Sequence, residues 1–149
     1  MRRDLSMFKK LAVRLRQLVG GPRYTFLLLV TGNQEFVAVL RSVGHRVFSY
    51  FPYHLMSSED ESKLRKMIKG RNFDLVVINP AGTDNHNLEA VRFAVGLEAG
   101  PVHVITYLEF CDTGSLLEAG ANSLSNIKSP PWLKLIEAEE VIEKAQAKS

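Results

Sequence analysis

The sequence predicts a doubly wound α/β domain: five short parallel strands covered on both faces by helices, with an amphipathic helix ahead of them. Three observations predict it. Residues 26–30 are a continuous apolar run, and the strands 74–78 and 102–107 are strongly apolar without strict alternation, which marks strands buried on both faces. Segments of helical period separate them. Gly44, Gly100-Pro101 and Gly120 then punctuate the chain at the spacing of successive β–α units. With 149 residues, the chain suffices for one domain that buries roughly 70% of its unfolded surface.

Taken in order, residues 26–30 form the first strand, ending at the turn Thr31-Gly32-Asn33. Residues 34–43 place Phe36, Val37, Leu40 and Val43 on one helical face, closed by Gly44. Residues 46–51 form the second strand. Ser58 and Glu61 have the spacing of a capping box, and Leu64, Met67 and Ile68 line the helix behind it. The third strand, 74–78, stops at Asn79-Pro80. Asn85 or Asn87 caps the next helix, which turns Leu88, Val91 and Val95 inward and ends at Gly100-Pro101. Residues 102–107 are the fourth strand, and 113–119 a short helix closed by Gly120. Residues 121–127 form a weaker, Ser-rich fifth strand suited to a sheet edge. Trp132, Leu135, Ile136, Ala138, Val141 and Ile142 stripe the last helix.

The net charge of +3 divides unevenly. Residues 1–23 hold seven cations (Arg2, Arg3, Lys9, Lys10, Arg14, Arg16, Arg23) and one acid, Asp4, for +6, so residues 24–149 carry −3. At ~100° per residue, Leu5, Met7, Phe8, Leu11, Leu15 and Leu18 fall opposite Lys9, Lys10, Arg14 and Arg16. Residues 1–23 are thus expected to be a basic amphipathic leader with a Gly-Gly-Pro linker, and 24–149 the domain. The leader docks on a partner protein, on its own domain or, through residues 1–20, on an anionic membrane surface; an Arg-rich organellar presequence is a further alternative. Leu5, Phe8, Leu11 and Leu15 with Lys9, Lys10, Arg14 and Arg16 are the expected docking residues. The negative domain disfavours nucleic acid as its partner. No apolar run reaches the ~18 residues of a membrane span. The single cysteine, Cys111, excludes an internal disulfide framework and fits a reducing compartment, and with it a cytoplasmic location.

Doubly wound sheets place their functional groups beyond the strands' C-terminal ends, which directs attention to residues 31–34, 79–87, 106–112 and 128–131. Leu28-Leu29-Val30-Thr31-Gly32-Asn33, Asp74-Leu75-Val76-Val77-Ile78-Asn79, Pro101-Val102-His103-Val104-Ile105-Thr106 and Leu117-Glu118-Ala119-Gly120-Ala121 resemble the corresponding strands and turn of the CheY-like response-regulator receivers. Lys128 follows Thr106 at the family's distance. The resemblance covers about residues 25–144 and implies a flavodoxin-like, CheY-like fold. It also implies a degenerate phosphorylation site: Asn79 stands at the phosphoacceptor, Thr31 and Gly32 at the acidic pair, with Thr106 and Lys128 kept. Ser125 stands where many receivers carry a switching aromatic. An acyl phosphate needs a carboxylate nucleophile, and Mg²⁺ needs carboxylate oxygens. With Asn79, Thr31 and Gly32 in place, neither is supplied. Thr106 and Lys128 then serve structure, the lysine bonding loop carbonyls or Asn79.

The four histidines (His45, His54, His86, His103) lack metal-ligand spacing, and Cys111 stands alone. No metal and no cofactor are expected. A rival enzyme reading rests on Val77-Ile78-Asn79-Pro80, His86 and Ala90-Val91-Arg92, which resemble a stretch of type II dehydroquinases, although the family's long first loop has no counterpart between Val30 and Gln34. A flavin- or cobalamin-binding domain of similar topology is the other rival. The expected function is that of a non-catalytic pseudo-receiver: a phosphorylation-independent protein-interaction module whose partner belongs to a signalling or scaffolding complex.

Overall fold

In a computed structural model of the chain, the described residues are 21–29, 34–50, 58–80 and 84–148, together with Met7, Leu11 and Leu15; for residues 84–86 the description is of the backbone alone. Five strands form one sheet: β1 (Thr25–Leu29), β2 (Arg46–Tyr50), β3 (Leu75–Ile78), β4 (Val102–Thr106) and β5 (Ser123–Asn126). Their order is β2-β1-β3-β4-β5 and every pairing is parallel, with Leu29 opposite Tyr50 and Ile78, and Thr106 opposite Asn126. The helices are α1 (Gln34–Ser42), α2 (Ser58–Ile68), α3 (Asp84–Gly96), α4 (Thr113–Glu118) and α5 (Pro131–Lys148), with a 3₁₀ turn at Leu108–Phe110.

The continuous apolar runs are explained by two cores, one on each face. Side chains alternate along a strand, so Phe26, Leu28, Leu75, Val77 and Ile105 meet Phe36 and Leu40 of α1 and Leu135 and Ile142 of α5. On the other face Leu27, Leu29, Val76, Ile78 and Val104 meet Leu64 of α2, Val91 of α3 and Leu116 of α4. A fully buried Leu, Ile or Phe contributes roughly 1.5–3 kcal/mol, so a single polar substitution in β1 or β3 disrupts one of these layers. β5 lies at the edge, as its serines predict.

Some local expectations are corrected. Asn85 and Asn87 do not cap α3, because the helix already runs from Asp84; Asn87 instead sits in the first turn and is buried. Ser58 and Glu61 form no capping box, since Ser58 is itself helical and the Glu61 carboxylate turns forward to accept from Arg65 (3.0 Å). β5 is shorter than 121–127, because Ala121 N–H still donates to Leu116 O (3.1 Å) and closes α4. The cap of α4 is Asp112, which accepts from Ser115 N–H (3.2 Å) and Ser115 Oγ (2.8 Å). The expected end of β2 at Phe51 lies outside the described residues.

Candidate functional site

The parallel arrangement gathers the C-terminal ends of all five strands along one edge. Asn79 follows β3 directly there and is buried, 8% exposed. Thr106 ends β4 next to Asn126 of β5 and is buried as well. Thr31 and Gly32, expected to meet Asn79, lie outside the described residues.

Lys128 reaches this edge but bonds neither Asn79 nor a loop carbonyl, correcting the expectation. Its side chain is 62% exposed and its Nζ lies 2.6 Å from Glu109 Oε1. The reason is local. The 3₁₀ turn after β4 brings Glu109 beside the end of β5, where Asn126 Nδ2 donates to Glu109 Oε2 (3.3 Å) and Lys128 N–H donates to Asn126 Oδ1 (3.0 Å). The ammonium also stands 5.9 Å from the Tyr107 ring centre and 5.8 Å from that of Phe110, within cation–π range. The bond to Lys128 and one from its own backbone hold the Glu109 carboxyl below the usual carboxylate range, and Glu109 raises Lys128 in turn. Both side chains reach solvent, so the pair positions the turn and contributes little to stability. Tyr107, Glu109, Phe110 and Asn126 were not singled out from the sequence. A Tyr-x-Glu-Phe run straight after a strand was the available signal, but nothing local to it reveals a lysine 19 residues away (128 − 109) as its partner.

Ser125 is fully buried. Its hydroxyl donates to Glu137 Oε1 (3.1 Å), so it accepts from His103 Nε2 (2.8 Å), and Nδ1 of that ring has no hydrogen-bond partner among the described residues. Burial pushes His103 down to about 4. At the opposite edge, Tyr24 N–H donates to His45 Nδ1 (3.0 Å), which leaves the ring proton on Nε2, 2.7 Å from Glu139 Oε2. Both histidines are thus joints between strand and α5. His54 and the side chain of His86 lie outside the described residues, among which no group of three His, Cys, Asp or Glu could hold a metal ion.

Of the docking residues, Leu11 and Leu15 are helical and exposed, as is Met7. Leu5, Phe8, Lys9, Lys10, Arg14 and Arg16 lie outside the described residues. Among the described residues no helix is long and apolar enough to cross a membrane.

What the described part of the edge can do chemically is limited. Asn79 offers a neutral carboxamide and Lys128 an ammonium already engaged by a carboxylate. Neither Asn79 nor Lys128 can serve as a carboxylate nucleophile.

No family model matches the sequence, and no curated protein matches it. Solved structures do. A two-component response regulator from Clostridium difficile superposes with a TM-score of 0.60 at 13% identity, over 82% of this chain and 98% of that one. A response regulator receiver protein from Burkholderia phymatum gives 0.57 at 21% identity, over 80% and 95%. The response regulator domain of Thermotoga maritima CheB gives 0.55 at 14% identity, over 85% and 96%. With strand order β2-β1-β3-β4-β5 and helices on both faces, the chain has the CheY-like receiver fold.

Proposed function

We propose that this chain is a pseudo-receiver: a non-catalytic interaction module that works without phosphorylation, through the domain of residues 24–149 and the basic leader of residues 1–23. The observation that carries the reading is the chemistry of Asn79 and the engagement of Lys128 elsewhere. The residue that closes β3 is a carboxamide, which forms no acyl phosphate, and the lysine is committed to Glu109 on the surface. Thr31 and Gly32 would complete a site without carboxylates, and Mg²⁺, a hard cation, would find few ligands there. Thr106 then serves as part of the packed strand end. The partner is a protein of a signalling or scaffolding complex, met in the cytoplasm, and the domain's net negative charge disfavours nucleic acid.

The test is phosphate uptake from acetyl phosphate at millimolar Mg²⁺, read together with the fluorescence of Trp132. We expect no labelled protein and no Mg²⁺-dependent change in emission. Stable labelling of the wild-type chain would end this reading.

A further inference from the structure

The exposed large apolar side chains among the described residues fall into two groups. Met7, Leu11 and Leu15 are helical and four residues apart, so they share one stripe of the leader. Tyr107, Phe110 and Leu117 lie between the end of β4 and the end of α4; Met7 is 61% exposed and Phe110 75%. A lone exposed leucine is ordinary, but the exposed Tyr107 and Phe110 rings lie 6.3 Å apart, and such a pair marks a binding surface. The two groups are complementary in charge. The leader carries seven cations and one acid, whereas residues 107–128, which hold the second group, contain Glu109, Asp112 and Glu118 against the single cation Lys128. The rings of Tyr107 and Phe110 already accept one cation, Lys128, over their faces.

Neither group covers the other within one chain. The leader joins the domain at Tyr24, just before β1 and so at the N-terminal edge of the sheet. Tyr107 and Phe110 stand at the C-terminal edge beyond β4, and the Gly-Gly-Pro linker spans only ~10 Å. Met7, Leu11 and Leu15 are 61%, 51% and 59% exposed, so the stripe is open to a second molecule.

We propose that two copies of this chain associate reciprocally, the leader of each docking its Met7-Leu11-Leu15 stripe on the Tyr107-Phe110-Leu117 surface of the other. Each copy gives and receives one leader, so the contact closes on a two-fold axis and buries both surfaces twice. The proposal rests on the interaction-module reading and names a second copy as a partner.

The experiment is sedimentation of the full chain across about 1–200 μM, at low and high salt, with circular dichroism confirming that each variant is folded. The wild type should dimerise, and salt should weaken the dimer by screening the charges. Phe110→Glu and Leu11→Glu should each raise the dissociation constant at least about tenfold. Lys9→Glu with Lys10→Glu is the surface variant that should do the same without touching an apolar position. Mixing Phe110→Glu with Leu11→Glu should restore part of the association, because that pair retains one intact leader and one intact surface that meet. Loss in Leu11→Glu alone would indicate leader–leader pairing, and loss in Phe110→Glu alone surface–surface pairing; either overturns the proposal. So does a wild type that stays monomeric over the whole range, including one that floats with vesicles of anionic lipid. Phosphate uptake by a dimeric wild type would sink the phosphorylation-independent reading and leave the dimer standing.

Discussion

Gly120 shows how one residue can carry a motif. It closes α4 with φ +117°, a region that residues with a Cβ rarely enter, and an added Cβ would lie 2.9 Å from Val95 Cγ2 of α3. The Glu-Ala-Gly-Ala turn is therefore required twice, by backbone conformation and by the closeness of the two helices. Gly120→Ala should destabilise the fold by about 2 kcal/mol, partly relieved by shortening the neighbour in Gly120→Ala with Val95→Ala. Urea unfolding of the three proteins measures it. Equal midpoints for Gly120→Ala and wild type would show that the turn relaxes freely. Lys128 is the contrasting case: its position in the chain matches the family, but its side chain obeys the nearest carboxylate.

Among the elements, α5 departs furthest from its sequence pattern. The apolar stripe is buried as expected at Leu135, Ala138, Val141 and Ile142, but the buried arc also takes in Lys134 and Glu139. Burial lowers Lys134, with Glu35 and Glu137 opposing that shift. Glu139 meets His45, whose other nitrogen holds Tyr24 N–H, so one ion-pair-like contact fastens α5 to the start of β1 and the entry to β2. Glu139→Leu would leave the buried His45 Nε2–H without its acceptor and should cost roughly 2–4 kcal/mol. Glu139→Gln keeps a carbonyl acceptor and should cost less than half as much. Chemical denaturation at neutral pH compares them. Equal losses would mean that packing, not the hydrogen bond, holds this joint.

At the scale of the molecule, the two edges of the sheet divide the work. The N-terminal edge is locked by His45 and Glu139, while the C-terminal edge carries Asn79, Thr106 and the exposed aromatic turn. Between them the His103–Ser125–Glu137 chain ties β4 and β5 to α5 and sets a global acid sensitivity. His103 titrates near 4 when folded and near ~6.5 when unfolded, so the unfolded chain binds the extra proton first. Stability should therefore be complete above ~6.5 and fall as the pH drops toward about 4, by up to ~3 kcal/mol. His103→Gln, which can still donate to Ser125, should flatten this part of the profile. Melting curves from pH 7 to 4.5 would reveal it, and parallel profiles for the two proteins would assign the loss to other groups.

Periodicity in the sequence was enough to determine the five β–α units, the edge position of β5 and the burial of residues 26–29 and 75–78, because burial on both faces leaves a continuous apolar run and a helix stripe repeats within a few residues. Charge counting was enough to set the basic leader against the acidic domain. The tertiary structure alone decided where α3 begins, which charges α5 buries, and that Lys128 turns to Glu109. The burial of Glu139 and the turning of Lys128 depend on groups far apart in the chain, His45 with Glu139 (139 − 45 = 94 residues) and Lys128 with Glu109 (128 − 109 = 19). Only the folded sheet brings them within hydrogen-bonding distance, and a short-range pattern carries no record of that encounter.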